Sequence, residues 1–212
     1  MNRNRNFSFQ LAKHFQNHAA IYVFTTMLFI IGVIFGAIIV NSLNAQQKHD
    51  LFHYLTMFFG QAAEGEFASS NEMFLYSIFH YMKFIGLIWI LGLAVIGLPI
   101  TLVLLFLKGI VVGFTVGFLV NQFGLEGFFL SFVSVMPQNL ILIPAFIIVS
   151  TGSISFSLRM IKQLMGERTK ETLPTQLVKY TVFVIVAGLF IVAAASFEGY
   201  ISPSLIKFVV NY

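Results

Sequence analysis

Two histidines stand four residues apart in His49-Asp50-Leu51-Phe52-His53, with an acid between them. On a helix that spacing turns both imidazoles to one side; in the H-E-x-x-H metalloproteases the acid then serves as base for a zinc-bound water. Glu64, Glu66 or Glu72 would have to supply a third ligand. The pattern is weak. Asp reaches less far than Glu, no third-ligand spacing stands out, and His14 and His18 repeat the interval with no acid between them. No metal and no other cofactor is expected. The chain has no Cys, which removes disulfides and thiolate chemistry, and it carries no phosphate loop, nucleophile elbow or dinucleotide fingerprint.

The charges that demand an explanation are Lys83 and Lys108, because of what surrounds them. Of 212 residues, 58% are hydrophobic and only 9% charged. A soluble domain runs near ~45–50% apolar and ~25% charged, so a water-solvated surface cannot be assembled from this chain. The composition is that of an all-α integral membrane protein. Basic residues never form a run, which speaks against nucleic-acid binding.

The elements follow from the uncharged runs. Residues 20–40 form a first span of about the ~20 residues that cross a bilayer. The run is too long for a cleaved signal segment, and Asn41-Ser42-Leu43-Asn44 is a poor cleavage site. Before it, Leu11, Phe15 and Ala19 fall on one face of a short surface helix that Ser8 could cap. After it comes a polar stretch, Asn41 to Glu72, holding an interfacial helix striped by Leu51, Phe52, Leu55, Phe58 and Phe59. A loose loop, Gln61 to Asn71, follows that helix. The turn signal Gly97-Leu98-Pro99 then divides a long apolar region into spans 73–96 and 100–120. Phe128 to Val135 is too short to cross and is expected to dip in and return. Pro137 opens a fourth span, 138–158, which Pro144 should kink. The fifth is 180–197, and the tail Ser202 to Tyr212 rests on the surface. The whole is one polytopic membrane domain, 1–212.

Orientation follows from the basic residues. Arg3, Arg5, Lys13, Arg159, Lys162, Arg168, Lys170 and Lys179 fall on one side, Lys48 and Lys207 on the other. Positive charge stays inside, so the N-terminus is expected in the cytoplasm and the C-terminus outside.

Within the spans two features stand out. Gly32 and Gly36 on the first span, and Gly109, Gly113 and Gly117 on the third, recur every four residues. Such seams let helix backbones approach in lipid, either inside one bundle or against a partner or second copy. A mid-span lysine costs roughly 2.5–3.5 kcal/mol on insertion scales. Lys108 stands eight residues into its span, and Lys83 has His80 one turn before it. Either the amines snorkel to the surface, or a buried polar site holds them. Gln138, Asn139 and the carbonyls freed near Pro99 and Pro144 are the expected partners of Lys108.

Several of these segments resemble a known family. Gly32-Val-Ile-Phe-Gly-Ala-Ile-Ile-Val-Asn-Ser-Leu-Asn44, Asp50-Leu51-Phe52 and Phe58-Phe59-Gly60-Gln61 are similar to stage II sporulation protein M of endospore-forming bacteria. So are Phe106-Leu-Lys-Gly-Ile-Val-Val-Gly-Phe-Thr-Val-Gly-Phe-Leu-Val-Asn-Gln122 and Met136-Pro-Gln-Asn-Leu-Ile-Leu-Ile-Pro-Ala145. The wider family carries Pro-His-Gly-x-x-Glu-x-Pro-Ala at the last position. Here Gln138, Asn139 and Leu142 replace the His, Gly and Glu, while Pro137, Pro144 and Ala145 remain.

The resemblance implies a non-enzymatic role in engulfment, in the mother-cell membrane at the septum and its moving edge. The implied partners are two peptidoglycan hydrolases, a lytic transglycosylase and an amidase/endopeptidase, which the protein would hold in place. Docking would then fall to the outer segment with Phe52, Phe58, Phe59 and Gln61, to Phe129 on the re-entrant piece, and to the glycine seams. The alternative is a small transporter or channel subunit, with Lys108 and the broken helices lining a path.

Overall fold

The computed structural model describes residues 18–64, 70–166 and 173–201. Among them every regular element is helical. The helices are α1 (Ala19–Ser42), α2 (Ala45–Glu64), α3 (Ser70–Gly92), α4 (Gly97–Ser134), α5 (Met136–Leu164) and α6 (Leu173–Ser196), closed by a π-helical turn, Phe197–Ile201. All but α2 are long and apolar enough to cross a membrane, which makes five spans. The surface helix expected around Ser8 to Phe15 and the tail from Ser202 lie outside the described residues.

The polar helix α2 owes its start to a reciprocal cap. The Gln47 amide donates to Asn44 Oδ1 at 2.8 Å, and the Asn44 amide donates to Gln47 Oε1 at 3.0 Å. Two donors that a helix start leaves unpaired are thereby satisfied. The helix runs on to Glu64, so Gln61 to Glu64, expected in a loop, are helical.

Two reversals differ from expectation in position. The turn between α3 and α4 occupies residues 93–96, four positions early, and Gly97, Leu98 and Pro99 already form the first turn of α4. Proline lacks a donor that the first turn does not need, so it marks the exit from the reversal rather than its centre. Gly97 is required by contact: a Cβ there would strike the carbonyl of Leu91.

The second reversal lies inside α4. The helix breaks at Gly124, whose φ of 59° and ψ of −129° suit only glycine. Residues 125–134 then form a ten-residue helix that doubles back, with Gly127 backed against the Leu119 carbonyl. The excursion is shallow. From the Thr25–Thr151 contact it is fifteen residues to Val40 along α1 and fifteen to Met136 along α5, about 22 Å in each case. The chain therefore enters α5 level with the far end of α1. Pro144 does not interrupt α5, which continues through it.

Each outer helix offers one narrow buried stripe. On α1 it is Thr25, Phe29, Gly32, Gly36 and Val40; on α3, Ser77, Tyr81, Ile85 and Ile88. The remaining faces are large apolar side chains left open, such as Phe79, Ile185 and Leu189 at 62–66% exposure. Water would not tolerate that surface, whereas lipid solvates it. The axle is α5: 67% of its spanning window is buried, against 22–28% in the other four.

Candidate functional site

The glycines meet one another. A Cβ on Gly32 would stand 2.5 Å from the Phe106 carbonyl oxygen, and one on Gly109 would stand 2.5 Å from that of Phe29. Gly36 lies against the backbone of Ile110 and Gly113 against that of Val33, both too close for any side chain. At the far end Gly117 meets Ala37, where an added Cβ would lie 3.1 Å from the Ala37 Cα. The seam joins α1 to α4 within this chain, backbone on backbone.

That contact fixes the rotation of α4, and the rotation aims Lys108. One residue before Gly109, and so ~100° around the helix, Lys108 turns away from α1 toward α3 and α5. Its Nζ lies 5.7 Å from the Tyr81 ring centroid and 5.2 Å from that of Phe146. Both rings are buried in the core, and Phe84 packs edge-on to Phe146 at 5.0 Å. A cation over two aromatic faces is held by their quadrupoles, the more so where water is absent.

The anion is supplied by Glu198. Its Oε2 accepts a hydrogen bond from the Tyr81 hydroxyl at 2.7 Å, and its charge acts on Lys108. Glu198 sits in the π-helical turn, a rare geometry that is frequent at functional sites. The turn is tied to the start of α3: Gly199 packs on Phe74, and the Tyr200 hydroxyl donates to Asn71 Oδ1 at 2.7 Å. Lys108, Tyr81, Phe146 and Glu198 thus form one cluster drawn from four elements, its rings buried and its two charged residues half-buried.

This corrects the partners expected for Lys108. Asn139 is buried but spends its amide locally, Nδ2 donating to the Val135 carbonyl at 2.8 Å. It lies seven residues, about 10 Å along α5, from the Phe146 that faces the lysine. Gln138 is half-buried. His80 and Lys83 are exposed, pointing out of the bundle, and the His80 ring lies beside Tyr76 and Tyr81 at 6.3 and 5.5 Å. The structure therefore separates the five residues, leaving Lys108 alone of them in the cluster.

A second polar system runs along α5 and went unread in the sequence. Ser150, Thr151, Ser153, Ser155 and Ser157 are all buried. Thr151 bonds Thr25 on α1 at 3.1 Å; Ser153 bonds Thr101 on α4 at 3.4 Å and donates to the Ile88 carbonyl on α3 at 3.3 Å. Ser157 donates to the Gly92 carbonyl at 2.8 Å. Small hydroxyls thus fasten the central helix to three others, as they do in lipid where apolar contact has no solvent drive. The readable signal was five hydroxyl residues in eight positions of an apolar span.

At the end opposite His18, the expected docking residues divide. Phe52 is half-buried and packs on Phe123 at 5.8 Å, so it fastens α2 to the end of α4. The side chains of Phe58, Phe59 and Gln61 lie outside the described residues. Phe129 is 64% exposed on the fold-back helix, beside Phe128 and Phe132. His49 and His53 are exposed, and among the described residues no group of three or more His, Asp or Glu side chains converges to hold a metal.

No curated protein and no solved structure matches the chain. Residues 25–203, from the first turns of α1 to just past the π-helical turn that carries Glu198, match the family of stage II sporulation protein M. Over most of its length, then, this five-span bundle with its glycine seam and its lysine–tyrosine–glutamate cluster belongs to the stage II sporulation protein M family, a sporulation-related membrane protein family.

Proposed function

We propose that the protein is a non-enzymatic membrane scaffold of forespore engulfment, which holds peptidoglycan hydrolases at the mother-cell septal membrane. The basic end of the bundle, with Arg159, Lys162 and Lys179, faces the cytoplasm under the positive-inside rule. The fold-back helix and α2 then stand on the wall-facing side.

The observation that carries this reading is the open face of the fold-back helix. Leu125 is 80% exposed, and Phe128, Phe129 and Phe132 are 46, 64 and 56% exposed, while Gly127 and Ser131 face the bundle. The Gly124 break holds three aromatic rings at the membrane rim, where they are free to grip a partner.

The test is capture from sporulating cells. The hydrolases are expected to co-purify with the detergent-solubilised protein at native abundance, and a Phe129→Glu variant should lose them while keeping its melting temperature. Recovery of neither hydrolase with the unmodified protein would end the scaffold reading. Crosslinking through an introduced cysteine belongs at Phe129 or Phe132. At Gly113 it would disrupt the α1–α4 seam.

The Lys108–Tyr81–Glu198 cluster favours a second reading, a small transporter or channel subunit, because intramembrane charges recur in translocation paths. Flux into liposomes that is lost in a Lys108→Leu variant would support it. Normal engulfment by that variant would count against it.

A further inference from the structure

The end of the bundle opposite the aromatic rim holds a cavity of about 160 Å³ between α5, α6 and the start of α1. Its polar lining is His18, Ser155, Arg159, Gln176 and Lys179; its apolar lining includes Phe156, Tyr180 and Phe183. The outermost lining is polar and the deepest is not. Gly152 and Arg159 are seven residues apart on α5, and Phe183 and Gln176 seven apart on α6, so each wall spans about 10 Å. Arg159 and Gln176 lie toward the helix ends, Lys179 is level with Tyr180, and Gly152 and Phe183 lie deepest, with the Phe156 and Tyr180 rings stacked at 5.2 Å. The cavity is amphiphilic along the membrane normal.

The basic groups are organised. Arg159 Nη2 lies 2.8 Å from His18 Nε2, and His18 Nδ1 lies 3.3 Å from Ser155 Oγ. A guanidinium only donates, so Nε2 accepts and the imidazole is neutral, with its other nitrogen donating to the serine. His18 therefore holds one edge of Arg159 without competing for an anion, and the rest of the planar donor fork remains for a ligand.

We propose that this cavity binds the phosphate headgroup of an anionic phospholipid from the leaflet at that end. Arg159 would take the phosphate through its bidentate fork, with Lys179 lining the same mouth. The ring-lined interior would take the glycerol ester and the first acyl carbons. A basic pocket between spans at the membrane surface is suited to such headgroups. Free phosphate shares the headgroup chemistry, but it leaves the aromatic interior unfilled, and that interior favours the lipid. The site shares no residue with the lysine–tyrosine–glutamate cluster or the aromatic rim, so its fate is independent of the scaffold reading.

The test uses the full chain, purified in detergent and delipidated. Phosphatidylglycerol and phosphatidylcholine are added separately and retention is followed by native mass spectrometry, with the melting temperature recorded in parallel and also with inorganic phosphate alone. Phosphatidylglycerol is expected to be retained and to raise the melting temperature, with Arg159→Gln weakening it at least about tenfold, as loss of a charge-assisted hydrogen bond would. Phe183→Trp fills the deep end without touching a charge; it should displace the lipid as well, which keeps the test open if Arg159→Gln fails to fold. Lys162→Gln, one turn beyond Arg159 and outside the cavity, should bind normally. Equal retention of phosphatidylcholine, equal loss in Lys162→Gln, or full stabilisation by inorganic phosphate would each overturn the assignment.

Discussion

The hydroxyl of Tyr81 donates to Glu198 at 2.7 Å across 117 positions of sequence, under the field of Lys108. The bond joins α3 to the turn that ends α6, and it places the acid where the amine can feel it. Partly buried charges offset desolvation only when their donors and acceptors are met. Here the tyrosine satisfies the carboxylate, and two ring faces lie against the amine.

Tyr81→Phe keeps the ring over Lys108 and removes only the donor. A hydrogen bond to a charged group contributes about 1.5–3 kcal/mol, so the variant is expected to melt several degrees lower in detergent. The Lys108→Met/Glu198→Gln double variant should be destabilised less than the sum of the two single variants, with a coupling energy of about 0.5–3 kcal/mol. A double-mutant cycle of melting or unfolding measurements checks this. Strict additivity would mean that the two charges do not interact.

The glycines make a sharper contrast, because the structure gives them different surroundings. Gly36 lies on the backbone of Ile110, which cannot yield as a flexible side chain would. Gly188 on α6 has nothing within 4 Å of an added Cβ. Gly36→Val is expected to destabilise by at least about 1–3 kcal/mol, the range for overpacking. Gly188→Val should stay within about 0.5 kcal/mol, as open-surface changes do. Similar melting of the two variants would show that the α1–α4 seam does not hold the fold together.

The contrast shows what the chain declares in one dimension and what it withholds. Five spans were legible because an apolar run of ~20 residues with no charge has few uses besides crossing a bilayer. The seam was legible as a set of glycines but not as a pairing. Spacing alone could not tell whether Gly36 would meet Ile110 or another molecule. The partner of Lys108 was hidden for a related reason. Glu198 reads as the polar end of a span, and only the packing of α6 against α3 carries it back to Tyr81. The hydroxyls of α5 were visible as residues, yet their meaning depends on α5 being the central helix, which is a property of the assembled bundle. His80 and Lys83 went the other way: they share a span with Tyr81, but helical rotation turns them outward.

At Gly124 the backbone itself makes a prediction. With φ at 59° and ψ at −129°, any side chain is strained even though open space surrounds the position. Gly124→Ala is expected to cost about 1–3 kcal/mol, the usual charge for a residue held in a sparsely populated region. The break sets the direction of residues 125–134, so the same variant should weaken hydrolase capture under the scaffold reading, though it changes no aromatic residue. Gly166 also has positive φ, at 86°, but lies at the opposite end of the bundle. Gly166→Ala should therefore lower stability without affecting capture. Loss of capture in both variants would trace the effect to general instability.

The absence of cysteine makes the topology directly measurable. Met57 on α2 is 51% exposed and Met165, just past α5, is 78% exposed. They lie at opposite ends of the bundle: α2 follows the far end of α1, whereas α5 ends near His18, which Arg159 contacts. In intact vegetative cells expressing single-cysteine variants, a membrane-impermeant maleimide should label Met57→Cys at once. It should label Met165→Cys only after the membrane is opened, if the basic end faces the cytoplasm as the positive-inside rule expects. Labelling of Met165→Cys alone in intact cells would invert the protein and place the aromatic rim inside, out of reach of any wall-degrading partner. Labelling of both would break the five-span bundle itself.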